Sequence, residues 1–172
     1  MKNTMILAAT MIATLTSVPA TANNSPKPLA ERVRHELVML PWVSIYDNMS
    51  FRVDGDTVTL FGSTVRPVLK SSAANVVAKL EGVNRVVNEI EVLPLSPFDD
   101  RIRMATARAI YGYGPLQRYG LGANPSIRII VKNGNVSLQG VVSSEMDKNL
   151  AFIRANGVSG SFAVANDLRI ER

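Results

Sequence analysis

The sequence predicts an α+β protein built from two tandem α-β-β-α-β modules, each a three-stranded mixed sheet with two helices on one face. Three observations predict it. First, Leu60-Phe61-Gly62 and Val86-Val87-Asn88-Glu89-Ile90 return as Leu138-Gln139-Gly140 and Val164-Ala165-Asn166-Asp167-Leu168, and Gly140 and Asn166 each stand 78 residues after their counterparts. Second, helical and two-residue hydrophobic periods succeed one another in the same order in both halves. Third, the halves meet at Leu93-Pro94-Leu95-Ser96-Pro97, a short link that proline stiffens and that should limit how far the modules separate.

Each element has its own warrant. Val33, Leu37 and Leu40 recur at helical spacing in Leu29 to Leu40, among Glu31, Arg32, Arg34 and Glu36, and Pro41 stops the helix. Phe51-Arg52-Val53 and Val58-Thr59-Leu60-Phe61 alternate around Asp54-Gly55-Asp56-Thr57, which reads as a β-hairpin. Pro67 suits the first turn of a helix that buries Leu69, Ala73, Val77 and Leu80 and ends near Gly82. Val86 to Val92 alternates as one last strand. In the second half a helix runs from about Asp99 to Tyr111 with Ile102, Ala105 and Ala109 inward. Strands Ile127 to Val131 and Val136 to Gln139 flank Lys132-Asn133-Gly134-Asn135. Because Gly134 follows Gly55 by 79 residues, this turn reads as one residue shorter than its counterpart. A helix from about Ser144 to Asn156 places Ala151, Ala155 and Val158 where Ala73, Val77 and Leu80 stand, and Phe162 to Ile170 closes the copy.

The amino terminus carries Lys2, an apolar stretch from Met5 to Val18, Pro19 and the small-x-small triplet Ala20-Thr21-Ala22. This pattern reads as a signal peptide over residues 1–22, giving an exported, soluble, periplasmic protein with modules at 23–95 and 96–172. The threonines in the stretch argue against a retained span, which needs about 20 predominantly apolar residues. The sequence contains no cysteine, so disulfides, thiolate metal sites, a thiol nucleophile and a lipidated cysteine are excluded. Each module must then be held by its apolar core alone, and mutual packing would help. The formal charge is +5, but residues 23–95 hold eight basic and eight acidic side chains, while residues 96–172 hold ten and six. A basic face suits nucleic acid, an anionic membrane surface or an acidic protein, and export removes most of the case for nucleic acid.

The marks Val53-Asp54-Gly55-Asp56-Thr57-Val58-Thr59-Leu60-Phe61-Gly62 and Leu80-Glu81-Gly82-Val83-Asn84-Arg85-Val86-Val87-Asn88-Glu89-Ile90, with Val131 to Val142 and Gly160 to Leu168 in the second copy, resemble the BON domain, named for bacterial osmotically induced and nodulation proteins. The second copy departs in having Gly160-Ser161 where the first has Gly82-Val83. The resemblance implies a non-enzymatic cell-envelope protein associated with phospholipid, envelope integrity and osmotic stress. It also implies, as an alternative, a periplasmic chaperone or interaction module for envelope proteins.

Most distinctive residues read as scaffold. Gly55 and Gly134 suit tight turns, Gly62 and Gly140 a strand-to-helix handover, Gly82 and Gly160 the approach to the last strand, and Asn88 and Asn166 a backbone-bonding amide. His35, the sole histidine, lies on the polar side of the first helix with no partner for a metal or a triad. No cofactor and no catalytic group is expected. The segment Tyr111 to Gly122 has no counterpart in the first copy. It brings Tyr111, Tyr113, Arg118 and Tyr119 next to Arg101, Arg103 and Arg108 on the preceding helix, a combination suited to an anionic headgroup layer or a protein partner. The same tyrosines would equally serve to close the core.

Overall fold

The computed structural model describes residues 27–122 and 124–171. The signal peptide assigned to residues 1–22 lies outside the described residues.

Module one consists of α1 (Leu29–Val38), β1 (Asn48–Asp54), β2 (Thr57–Thr64), α2 (Pro67–Ala78), β3 (Arg85–Asn88) and β4 (Glu91–Val92). Module two consists of α3 (Pro97–Tyr111), a short α4 (Gly114–Gln117) with a 3-10 turn at Arg118–Gly120, β5 (Ile127–Lys132), β6 (Asn135–Val142), α5 (Glu145–Asn156) and β7 (Ala163–Ile170). In each module the middle strand pairs antiparallel with the strand before it and parallel with the last one. The sheets are therefore mixed. Val33, Leu37, Val58, Leu60, Ala73, Val77 and Ile90 form the first core, and Ile102, Ile110, Ile127, Ile129, Leu138, Ala151 and Leu168 the second.

The repeat is kept down to single hydrogen bonds. Asn88 Nδ2 donates to the Lys70 carbonyl at 2.7 Å and Asn166 Nδ2 to the Lys148 carbonyl at 2.9 Å, so each asparagine fastens the last strand to the second helix of its module. Gly62 and Gly140 have φ of 112° and 119°, and a Cβ on either would lie 2.1 Å from the Asn48 oxygen or 1.9 Å from the Ser126 oxygen. Only glycine lets the two strands approach there.

Four sequence expectations are corrected. The last strand of module one is split at Glu89 and Ile90, where Asn88 Oδ1 accepts the Ile90 amide at 3.2 Å, a bond that the unbroken β7 repeats between Asn166 and Leu168. The turns are equally long: Asp54 pairs with Thr57 and Lys132 with Asn135, so both loops have two residues and the glycine merely moves from first to second position. Asn133 (φ 51°) and Gly134 (φ 75°) both take positive φ, the demand of a type I′ turn, which asparagine tolerates. The inward face of α3 is Asp99, Ile102, Arg103, Thr106 and Ile110, with Ala105 and Ala109 on its shoulders. Fourth, α4 and its 3-10 turn occupy the Tyr111 to Gly122 segment, for which the sequence predicted no helix or strand of its own.

The modules touch through the Ser44–Asp47 turn of module one. The Ile129 amide donates to the Ile45 carbonyl at 2.8 Å, Arg128 Nη1 to the Ser44 carbonyl at 2.9 Å, and Asn48 Nδ2 to Gln139 Oε1 at 2.6 Å. Ile45 and Tyr46 pack against the second core. Asp47 holds the turn in shape: its buried carboxylate accepts from the Ser44 amide and hydroxyl, the Thr64 hydroxyl and the Val65 amide, all within 2.8 Å. Such a satisfied carboxylate tolerates burial.

Candidate functional site

The basic and aromatic residues around α3 separate into two groups. Arg103, Tyr111, Tyr113, Arg118 and Tyr119 are engaged in structure. Arg103 is 4% exposed; its guanidinium bonds Asp100 at 2.5 Å and donates to the Val131 carbonyl at 2.7 Å, tying α3 to β5. Tyr111 donates to the Ile127 carbonyl at 2.5 Å, and burial pushes its phenol pKa up to about 12. Its ring lies where a side chain at Gly120 would clash. Tyr113 stacks under the Arg154 guanidinium, 4.8 Å from the ring centre, while Arg154 Nε donates to the Ala109 carbonyl.

Tyr119 is 8% exposed and sits at the hub of the insertion. Its hydroxyl donates to Asp147 at 2.9 Å and accepts from the Ser143 amide at 2.9 Å and from Arg118, whose guanidinium also bonds Asp147 at 2.7 Å. The Ser144 hydroxyl adds a further donor to Asp147 at 2.6 Å. This hydroxyl, then Tyr119 and Arg118, hold the Asp147 carboxyl below its ordinary pKa despite the opposing effect of burial. Asp147 stands 78 residues after Leu69, so a core leucine of the first copy is replaced by the anchor of the insertion. Nothing in the tyrosine spacing alone reveals that anchor.

Arg101 and Arg108 form the second group. They lie seven residues apart, opposite the buried face of α3, with Met104 exposed between them. Arg101 also lies 5.7 Å over the Phe98 ring. Phe98 in turn packs against Phe162, ring centres 5.9 Å apart, and the preceding Leu95 is 93% exposed. The result is one face that carries both cationic and apolar groups. Of the negative charges at the start of the helix, Asp99 is buried and accepts from the Asn133 and Gly134 amides at 2.9 and 2.8 Å, while the exposed Asp100 pairs with Arg103.

Two further features escaped sequence reasoning. Val38, Met39 and Trp42 form an exposed apolar patch at the end of α1, with Trp42 71% exposed at a φ of 69°. The lone tryptophan directly after Pro41 was the available signal. A groove of about 860 Å3 also runs between the modules, with Arg34, Arg128 and Arg169 among its lining residues. These come from three distant segments, so no local pattern could have joined them. Among the described residues no cluster of three or more histidine, aspartate or glutamate side chains could hold a metal ion, and no helix is long and apolar enough to cross a membrane.

Comparison with known proteins gives one family. The BON domain model matches residues 27–94 and 116–172. The second segment begins within the insertion and leaves out α3, which nevertheless occupies the first-helix position of its module. No curated protein matches. Among solved structures, the C-terminal domain of CdsD, a structural protein of the type III secretion system of Chlamydia trachomatis, is 12% identical over 86% of this chain and 100% of that one, with a TM-score of 0.34. A second CdsD structure is 12% identical over 83% and 92%, also with a TM-score of 0.34. A likeness of that size carries no functional weight.

Proposed function

Because the chain belongs to the BON domain family, we propose that it is a non-enzymatic periplasmic binding protein that associates peripherally with anionic phospholipid and so supports envelope integrity or osmotic stress tolerance. The observation that carries this reading is the outer face of α3, where Arg101 and Arg108 flank Met104 beside Phe98, Phe162 and Leu95. Each arginine near an anionic surface contributes roughly 1 kcal/mol, and apolar and aromatic side chains at the same level enter the headgroup boundary. Arg103, Tyr111, Tyr113, Arg118 and Tyr119 shape this face from behind instead of contacting lipid. They tie α3 and the insertion to β5 and α5.

Vesicle co-sedimentation tests the proposal. Binding is expected to vesicles containing phosphatidylglycerol and not to phosphatidylcholine alone, and to weaken with salt as the screening length shortens from about 10 Å at 0.1 M. Reversing Arg101 and Arg108 to glutamate should lower affinity by about thirtyfold or more. The same reversal at Lys79, an exposed cation of module one, should leave affinity unchanged. Equal binding to neutral vesicles, or indifference to the α3 double reversal, would overturn the reading.

A further inference from the structure

A different surface points to a different ligand. The groove between the modules is lined on one side by Asn48, Met49, Ser50 and Phe51 in succession. Neighbouring residues of a strand point to opposite faces, so a cavity that touches four in a row opens on the strand's hydrogen-bonding edge. That edge is free. β1 pairs only with β2, and among the described residues no hydrogen bond from another segment reaches the main chain of Met49 to Val53. By contrast, the outer edge of β5 is met by Ile45, whose carbonyl takes the Ile129 amide. The opposite wall of the groove is the helix-free face of the second sheet, represented by Val141 and Arg169.

The charge is one-sided. Arg34 from α1, Arg128 from β5 and Arg169 from β7 line the groove, and none of its lining residues is acidic. Arg128 is committed to the Ser44 carbonyl and Asn124. Arg34 and Arg169 are exposed and make no ion pair among the described residues, Arg34 lying 6.0 Å over the Phe51 ring. Met49, Phe51 and Val141 supply apolar contact between the cations.

We infer that this groove binds an extended acidic peptide segment, which adds as a strand to the free edge of β1 while its carboxylates meet Arg34 and Arg169. An unpaired edge offers main-chain donors and acceptors that a peptide satisfies and an acyl chain does not. The arginines on both walls then select for acidic side chains on both faces of the added strand, which neighbouring acidic residues supply. This site is separate from the outer face of α3, so each can fail alone.

The test uses the full mature chain, a blocked eight-residue peptide in which glutamate pairs alternate with valine pairs, so that both faces of the strand carry carboxylates, and its lysine counterpart. Amide chemical shifts are followed by NMR. The acidic peptide should shift the amides of Asn48 to Val53 together with Val141 and Arg169, and the lysine peptide should not. Replacing both Arg34 and Arg169 by glutamate should weaken the acidic peptide about tenfold or more, with the spectrum otherwise that of a folded protein. The inference is overturned if both peptides bind alike, if the shifts fall on the β3 or β7 edge, or if the double variant binds unchanged. It is also overturned if only a short-chain phosphatidylglycerol, and not the peptide, perturbs these amides.

Discussion

Asp147 illustrates how one side chain can reassign a module. At the position of the buried Leu69 it gathers Arg118, Tyr119 and Ser144, and so fixes an insertion that the first copy does not have. Its folded carboxyl ionises below the ordinary value of 3.8. The unfolded chain therefore holds the proton more tightly than the folded one. The stabilisation is complete above about pH 5 and is lost as pH falls through the lowered value. Asp147→Asn should accordingly be less stable than the parent at pH 7, and the difference should shrink below about pH 4. Urea melts at pH 7, 5 and 3 measure it, and a difference that is constant across the three would refute the assignment.

At the scale of the element, α3 divides its arginines by helical phase. Arg101 and Arg108 project away from the core, whereas Arg103 lies on the buried side and donates to the Val131 carbonyl. Removing Arg103 strands that carbonyl and vacates the space filled by its methylene stem, so Arg103→Ala should cost about 2 to 3 kcal/mol. Arg101→Ala should stay within about 0.5 kcal/mol of the parent. Chemical denaturation of the two variants compares them, and equal stability would show that the burial of Arg103 has little energetic consequence. Sequence spacing ended the helix at Tyr111 as observed, but began it at about Asp99 instead of Pro97 and set Ala105 and Ala109 inward. A hydrophobic pattern assigns apolar residues to the core by default and gives no signal when a guanidinium finds a carbonyl there.

Across the whole molecule, two small cores are joined by a turn in which Asp47 is fully bonded and from which Ser44 and Ile45 reach β5. The contact shares hydrogen bonds and also brings Ile45 and Tyr46 against the second core, so the modules are expected to unfold together in one transition. Arg128→Ala combined with Gln139→Ala removes two of the ties and should resolve the thermal melt into two steps seen by calorimetry. A single step at nearly the original midpoint would mean that the side-chain ties contribute little to coupling. The same juxtaposition creates the groove, which belongs to neither module alone.

The sequence by itself determined the duplication, the order of elements, the family and the scaffold role of Gly62, Gly140, Asn88 and Asn166, because each is written in local periodicity or in one constant spacing. The tertiary structure alone decided which arginines face solvent, that Tyr119 is a buried hub, and that Arg34, Arg128 and Arg169 share a groove. The physical reason is range. Backbone conformation answers to neighbours a few residues away, whereas burial of a charge and convergence of three strand and helix segments depend on partners tens of residues distant.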